Sequence, residues 1–174
     1  MWAPPCSLWI FLSSSLHMRA RFGPAGNTDQ FSVRLANRIA INAAMALKAV
    51  LKFRSDCFVM VEQPSGSYLF KFEPWKSIIP NFWLHKTLTY QGLFGGPLAK
   101  PTHLIHCLKD DKLFAQKMTK KIREKRKFNR ADKLFYVKDA SGSVTGTKML
   151  SHTSIYPLRL VTAIYKSWLA SKPE

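Results

Sequence analysis

Acidic residues are scarce in this chain. Its 174 residues include 10 Asp and Glu against 27 Lys and Arg, a formal charge of +17. That balance points to polyanionic partners, nucleic acid first and an acidic membrane surface second. The plain alternative is a basic protein with no specific partner. Cysteine is scarce too. Cys6, Cys57 and Cys107 are odd in number and widely spaced. This excludes a disulfide framework and suits a reducing compartment, intracellular and either nuclear or cytoplasmic. No apolar run approaches the roughly 18 residues of a membrane-spanning helix, so no span is predicted. Residues 1–16 are fairly apolar, but no lysine or arginine precedes them, and Trp2, Pro4 and Pro5 fit a secretory signal poorly. There is no internal repeat, no glycine-rich dinucleotide loop and no Ser-His-Asp signature.

What is present is enough for one domain or most of one, and a hydrophobic fraction of 47% argues against disorder. The chain opens with no polar leader, as if at the last residues of a strand, and turns at Pro4-Pro5. This suggests a truncated parent fold. Residues 13–27 read as loop, and Arg19, Arg21 and Arg34 fit a solvent-facing or anion-facing segment. Asp29 is placed to cap a helix over Gln30–Lys52. Leu35, Ile39, Ala43, Leu47 and Val50 form its apolar stripe, widened by Ala36, Ala40, Ala44 and Ala46. The apolar run Cys57–Val61 predicts a buried strand that ends at Glu62-Gln63-Pro64, and helix and strand together predict an α/β unit of the parallel type.

Short helices are expected near Tyr68–Phe70 and Trp75–Ile79. Strands are expected at Leu84–Tyr90 and His103–Leu108, as antiparallel neighbours across a loop with three glycines and two prolines. Residues 110–130 read as largely helical. Leu134–Lys138 and Val144–Lys148 read as a hairpin. Ser154–Ala170 reads as an amphipathic helix with Leu158, Val161, Ile164, Tyr165, Trp168 and Leu169 as its apolar residues. The expected organisation is an N-terminal loop (1–29), an α/β core (30–108), a basic helical segment (109–133), and a hairpin with a final helix (134–174).

Two tempting motifs fail. Gly142 to Lys148 has three residues between its glycines where a phosphate-binding loop has four, and Met149 follows the lysine where Ser or Thr would bind magnesium. On a strand, His103 and Cys107 face one side and His106 the other, so no metal site is expected. The basic run is stronger. Lys117, Lys120, Lys121, Arg123, Lys125, Arg126, Lys127 and Arg130 are interrupted by few acids and are candidate phosphate contacts. A solvated helix face is the competing reading.

Three stretches complete the picture. Ala3-Pro4-Pro5-Cys6-Ser7 resembles the Pro-Cys nucleophile loop of cytosine-5 DNA methyltransferases. Val61-Glu62-Gln63-Pro64 looks like that family's glutamate motif, and Tyr90 to Thr102, with Lys100-Pro101-Thr102 at its end, is similar to a later loop. Tyr156-Pro157 is similar to the opening of the family's final helix, and the layout also resembles methyltransferase-like proteins of single-celled algae. The resemblance implies an α/β fold, namely a partial Rossmann-like methyltransferase domain. It implies that Cys6 attacks carbon 6 of a flipped cytosine, that Glu62 holds the ring nitrogen, and that Lys100 orients the base or the glutamate. It also implies S-adenosylmethionine as methyl donor. The family's glycine-rich donor motif and its ribose-binding acid are absent from these residues, and Ser7, Gln63 and Lys100 replace Gln, Asn and Arg. The expected function is thus a truncated or degenerate methyltransferase-like domain that binds nucleic acid. The alternatives are a non-catalytic basic binding module and a non-functional gene fragment. Oligomeric state is left open.

Overall fold

Phe31–Phe53 contains neither glycine nor proline and is rich in alanine, and it forms the longest helix of the chain. The structure, a computed structural model, describes residues 6, 8–10, 17–54, 57–126, 128, 135–140, 144–146 and 155–172. Its elements in order are helix α1 (Arg19–Phe22), α2 (Phe31–Phe53), strand β1 (Met60–Pro64), a 3-10 turn (Leu69–Lys71), α3 (Glu73–Lys76), α4 (Ile78–Asn81), β2 (His85–Tyr90), a second 3-10 turn (Gln91–Phe94), β3 (Pro101–His106), α5 (Lys120–Lys125), β4 (Tyr136–Lys138), β5 (Val144–Gly146) and α6 (Leu158–Ala170). The chain divides into two units. The first is Met1–Thr87 with His103–Leu108, and the second is Leu88–Thr102 with Lys109–Glu174.

The class is mixed α/β. Three strands lie in the order β1-β3-β2. The Cys107 N–H donates to the Val59 carbonyl at 3.4 Å, joining the end of β3 to the start of β1. The Gln91 N–H donates to the Lys100 carbonyl at 3.2 Å, joining the end of β2 to the start of β3. Both pairings are antiparallel. The antiparallel neighbourhood of β2 and β3 matches expectation, whereas the expected parallel unit does not form in this sheet. β1 also sits three residues later than its apolar run suggested. Pairing with β3 sets the strand, and that draws Glu62 and Gln63 inside it.

The core of the first unit explains a second correction. The buried face of α2 is Val33, Asn37, Ala40, Ala43, Ala44 and Leu47, while Leu35, Ile39 and Val50 are exposed. Opposite that face stand Trp9, Phe70, Phe72 and Trp75. Indole and phenyl rings supply the bulk there, so the helix contributes alanine and comes close. The Trp75 Nε1–H donates to the Ala40 carbonyl at 2.9 Å, which fixes the approach. Asp29 does not cap α2. Gln30 holds the N-cap position without a side-chain bond, and the Asp29 N–H instead closes a turn onto Asn27 Oδ1 at 3.2 Å.

A third correction concerns Arg19, which is buried at 1% exposure. Its Nε donates to the Leu8 carbonyl at 2.8 Å, its Nη1 to the Pro24 carbonyl, and its Nη2 to Asn37 Oδ1 at 3.0 Å. Its Cζ lies 3.6 Å from the centre of the Trp9 ring. Asn37 Nδ2 donates in turn to the Ala25 carbonyl at 2.8 Å. Gly26 adopts φ +73°, and a Cβ there would fall 2.7 Å from the His17 carbonyl oxygen, so the loop closes only around glycine.

In the second unit, Gly92 is equally constrained, because a Cβ would lie 2.5 Å from both the Leu98 oxygen and Phe128 Cζ. β4 and β5 pair antiparallel, as the hairpin reading predicts, with Tyr136 opposite Gly146. Of the stretch 110–130 expected to be helical, residues 110–119 are not helical, Lys120–Lys125 forms α5 and Phe128 is helical again, while residues 127, 129 and 130 lie outside the described residues. α6 buries Leu160, Ile164 and Ser167, while Leu158, Val161, Tyr165 and Leu169 are exposed.

Replacing Arg19 by leucine leaves the Leu8 and Pro24 carbonyls and Asn37 Oδ1 without their donor. The expected loss is about 3 kcal/mol of unfolding free energy, read by urea denaturation.

Candidate functional site

The site is best built from Glu62 outward. Val61 and Ile105 belong to the core of the first unit. Side chains alternate along a strand, so Glu62, Leu104 and His106 face the other side of the sheet. Glu62 is 5% exposed, placed within β1 rather than beyond its end. On that same face Thr87 Oγ1 and His106 Nε2 are 2.9 Å apart, and the Leu108 N–H donates to His106 Nδ1 at 3.2 Å. His106 Nδ1 is therefore the acceptor, and Nε2 carries the proton that Thr87 Oγ1 accepts. Both ring nitrogens are occupied, which leaves none for a metal ion. Among the described residues no group of three or more His, Cys, Asp or Glu could hold one.

Gln63 faces the core side, fully buried, and its Oε1 accepts from Ser67 Oγ at 2.9 Å. Ser67 Oγ accepts from the Leu69 N–H at 3.2 Å. The turn that follows the glutamate strand is thus closed by its own side chains.

Cys6 is half-buried, and its carbonyl accepts from the Trp9 N–H at 2.9 Å. Pro4 and Pro5 of the nucleophile-type motif lie outside the described residues. The segment after Cys6 is anchored to the loop that follows Glu62. The Tyr68 N–H donates to the Trp9 carbonyl at 2.8 Å, and the rings of Trp9 and Phe72 are centred 5.1 Å apart. His17 tightens the same anchor. Its Nδ1 accepts from the Arg19 N–H at 3.0 Å, so its Nε2–H donates to the Ile10 carbonyl at 2.7 Å. Burial holds the imidazole below its ordinary pKa. The bond to Ile10 opposes that shift, and the Arg19 charge adds to it.

Lys100 belongs to the second unit. Its backbone is left-handed at φ 35°, a conformation uncommon outside glycine. Its carbonyl accepts from the Gln91 N–H and from Thr102 Oγ1, the latter at 3.1 Å, and its Nζ lies 6.0 Å from the centre of the Tyr156 ring.

No protein-family model, no curated protein and no solved structure matches this chain. The functional reading therefore stands on its residues alone.

Of the basic candidates, Lys117, Lys120, Lys121, Lys125 and Arg126 are exposed and Arg123 is half-buried. Lys127 and Arg130 lie outside the described residues. Thr119 caps α5 by accepting from the Ile122 N–H at 3.2 Å. Arg126 is partly structural, since its Nη1 donates to the Gly92 carbonyl at 2.6 Å. Lys117, Lys120, Lys121 and Lys125 form no ion pair among the described residues.

Arg19, His17 and Asn37 hold the Cys6 segment in place. Loop composition hid the first two. Asn37 carried the one legible signal, a polar residue at helical spacing among Val33, Ala40 and Ala44. A buried amide on such a face needs a buried partner.

The lowered pKa of His17 has a definite sign. The unfolded imidazole binds a proton near 6.5 and the folded one resists it, so stability falls as pH drops below that value. His103, lowered by burial and by Lys86, acts in the same direction. Thermal melts through this range should show a shallower acid-side loss for His17→Gln than for the unaltered chain.

Proposed function

We propose that the chain is a nucleic-acid-binding α/β domain of the cytosine-5 methyltransferase type, carrying the nucleophile and glutamate side of such a domain. The observation that carries the binding half is the row of exposed lysines, Lys117, Lys120, Lys121 and Lys125, which form no ion pair among the described residues, in a chain of charge +17. Such lysines release counterions when they meet phosphates, so binding is sequence-independent and salt-sensitive. The methyltransferase half rests on the order of the Cys6, Glu62 and Lys100 motifs along the chain and on the anchoring of the Cys6 segment to the loop after Glu62; the antiparallel sheet lends it nothing.

A second reading, a non-catalytic binding module, is favoured by one observation. Glu62 is 5% exposed inside a strand, so a base meets its carboxylate only if the covering side chains move. In this reading Glu62 serves the fold.

Electrophoretic shifts over a salt series test the binding. Substituting Lys117, Lys120, Lys121 and Lys125 by glutamine should weaken binding and flatten the plot of log affinity against log salt by about 3 to 4 units. No shift by the unaltered chain at low salt would sink the proposal.

Catalysis has its own measurement. The chain alone is expected to transfer no methyl group from labelled S-adenosylmethionine to DNA. A signal abolished by Cys6→Ala would establish catalysis and displace the second reading.

A further inference from the structure

The outer face of α2 carries large apolar side chains, beside Arg34, Arg38, Asn42 and Lys52, where a solvated helix face is ordinarily polar throughout. Phe31 is 71% exposed, Met45 64% and Phe53 75%, and Leu35, Ile39 and Val50 are exposed as well. By the helical period, Phe31, Leu35, Ile39, Val50 and Phe53 fall on one strip. Arg34, Arg38, Lys48 and Lys52 fall along one edge of it. The helix carries no acidic residue. It is about 33 Å long, with a phenylalanine at each end.

Near its start the strip widens into a groove of about 350 Å³ lined by Phe31, Arg34, Leu35 and Arg38. Two guanidinium groups stand on one side and two apolar side chains on the other. Arg34 Nη1 is held by the Thr28 and Asp29 carbonyls at 2.9 and 2.8 Å, and Arg38 is exposed beside it. This lining matches an amphiphile with an anionic head and a hydrocarbon body.

We propose that this face of α2 docks on an anionic phospholipid surface. The apolar strip enters the boundary between headgroups and acyl chains, and the basic edge lies among the phosphates. Three observations favour lipid over other occupants. Leu35, Ile39 and Val50, the middle of the strip, are aliphatic, and the two phenylalanines that could stack a base stand at its opposite ends, about 33 Å apart. A second copy of the chain brings another +17 charge against the same basic edge. The strip runs the full length of the helix, and a fluid surface conforms to it without a matching groove. The helix rests on the membrane and does not cross it: among the described residues no helix is long and apolar enough to span.

The test is co-sedimentation of the full chain with phosphatidylcholine vesicles, with and without phosphatidylserine. The expected result is binding that requires phosphatidylserine and falls about tenfold or more in the Phe31→Ser/Leu35→Ser/Phe53→Ser variant. All three positions are exposed, and circular dichroism shows whether the helix is retained. Arg38→Gln/Lys52→Gln should weaken binding and reduce its salt sensitivity.

Equal vesicle binding by the unaltered chain and the serine variant overturns the proposal, because attraction then comes from net charge alone. Failure to bind phosphatidylserine vesicles overturns it too, even if an acidic peptide binds the strip. An equal loss of oligonucleotide binding in the serine variant also overturns it and assigns the face to nucleic acid. The glutamine variant at Lys117, Lys120, Lys121 and Lys125 keeps the two readings separate, since its apolar strip is intact.

Discussion

The close approach of an alanine face to a layer of aromatic rings is the constraint on which the first unit depends. Ala40, Ala43 and Ala44 place the α2 backbone near Trp9 and Trp75, and the Trp75 indole closes the distance by bonding to the Ala40 carbonyl. A larger residue at any of these positions would hold the helix off the rings and open gaps that neither side could fill. The same arrangement turns Leu35, Ile39 and Val50 outward, while Val33 and Leu47 stay inside. The core and the exposed strip are therefore one fact seen from two sides. Where rings supply the volume opposite Ala40 and Ala44, Leu35 and Ile39 are left at the surface.

Arg19 extends that constraint to the N-terminal segment. A buried guanidinium needs acceptors on every side, and here they are the carbonyls of Leu8 and Pro24, the amide of Asn37 and the face of Trp9. Burial lowers its pKa to about 10, which still leaves it charged at neutral pH. A charge whose partners are carbonyls, an amide and a ring is held by dipoles and a quadrupole, so geometry must be tight. That tightness carries the segment after Cys6 to the loop after Glu62 through the Trp9–Tyr68 bond.

Positive charge is used in two different ways. Arg19 is consumed by the fold, and Arg126 is partly so, through the Gly92 carbonyl. Lys117, Lys120, Lys121 and Lys125 are left in solvent. Net charge alone cannot make this distinction, because it counts a cation locked among carbonyls the same as one free to meet a phosphate. The four lysines, rather than the total of +17, carry the case for a polyanionic partner.

Local pattern was sufficient for several elements. The helix Phe31–Phe53, the pair His85–Tyr90 and Pro101–His106, the hairpin of Tyr136–Lys138 and Val144–Gly146, and the helix after Pro157 all follow from periodicity and from glycine and proline stops, each of which acts within a few residues. Which face of a helix is buried is decided by whatever lies opposite. Leu35 and Ile39 therefore read as core, and only the rings across from Ala40 and Ala44 show that they are surface. Glu62 read as a strand end because apolar content stopped there, but hydrogen bonding to the central strand carries β1 past it. His17 and Arg19 lay in a stretch of loop composition and gave no local sign of burial. Their partners, Ile10, Leu8 and Asn37, are brought to them by folding. The residues themselves determined the helices, the turns and the excess of positive charge, because those depend on neighbours along the chain. Tertiary structure alone decided which charges and which apolar side chains face water, because that depends on neighbours in space.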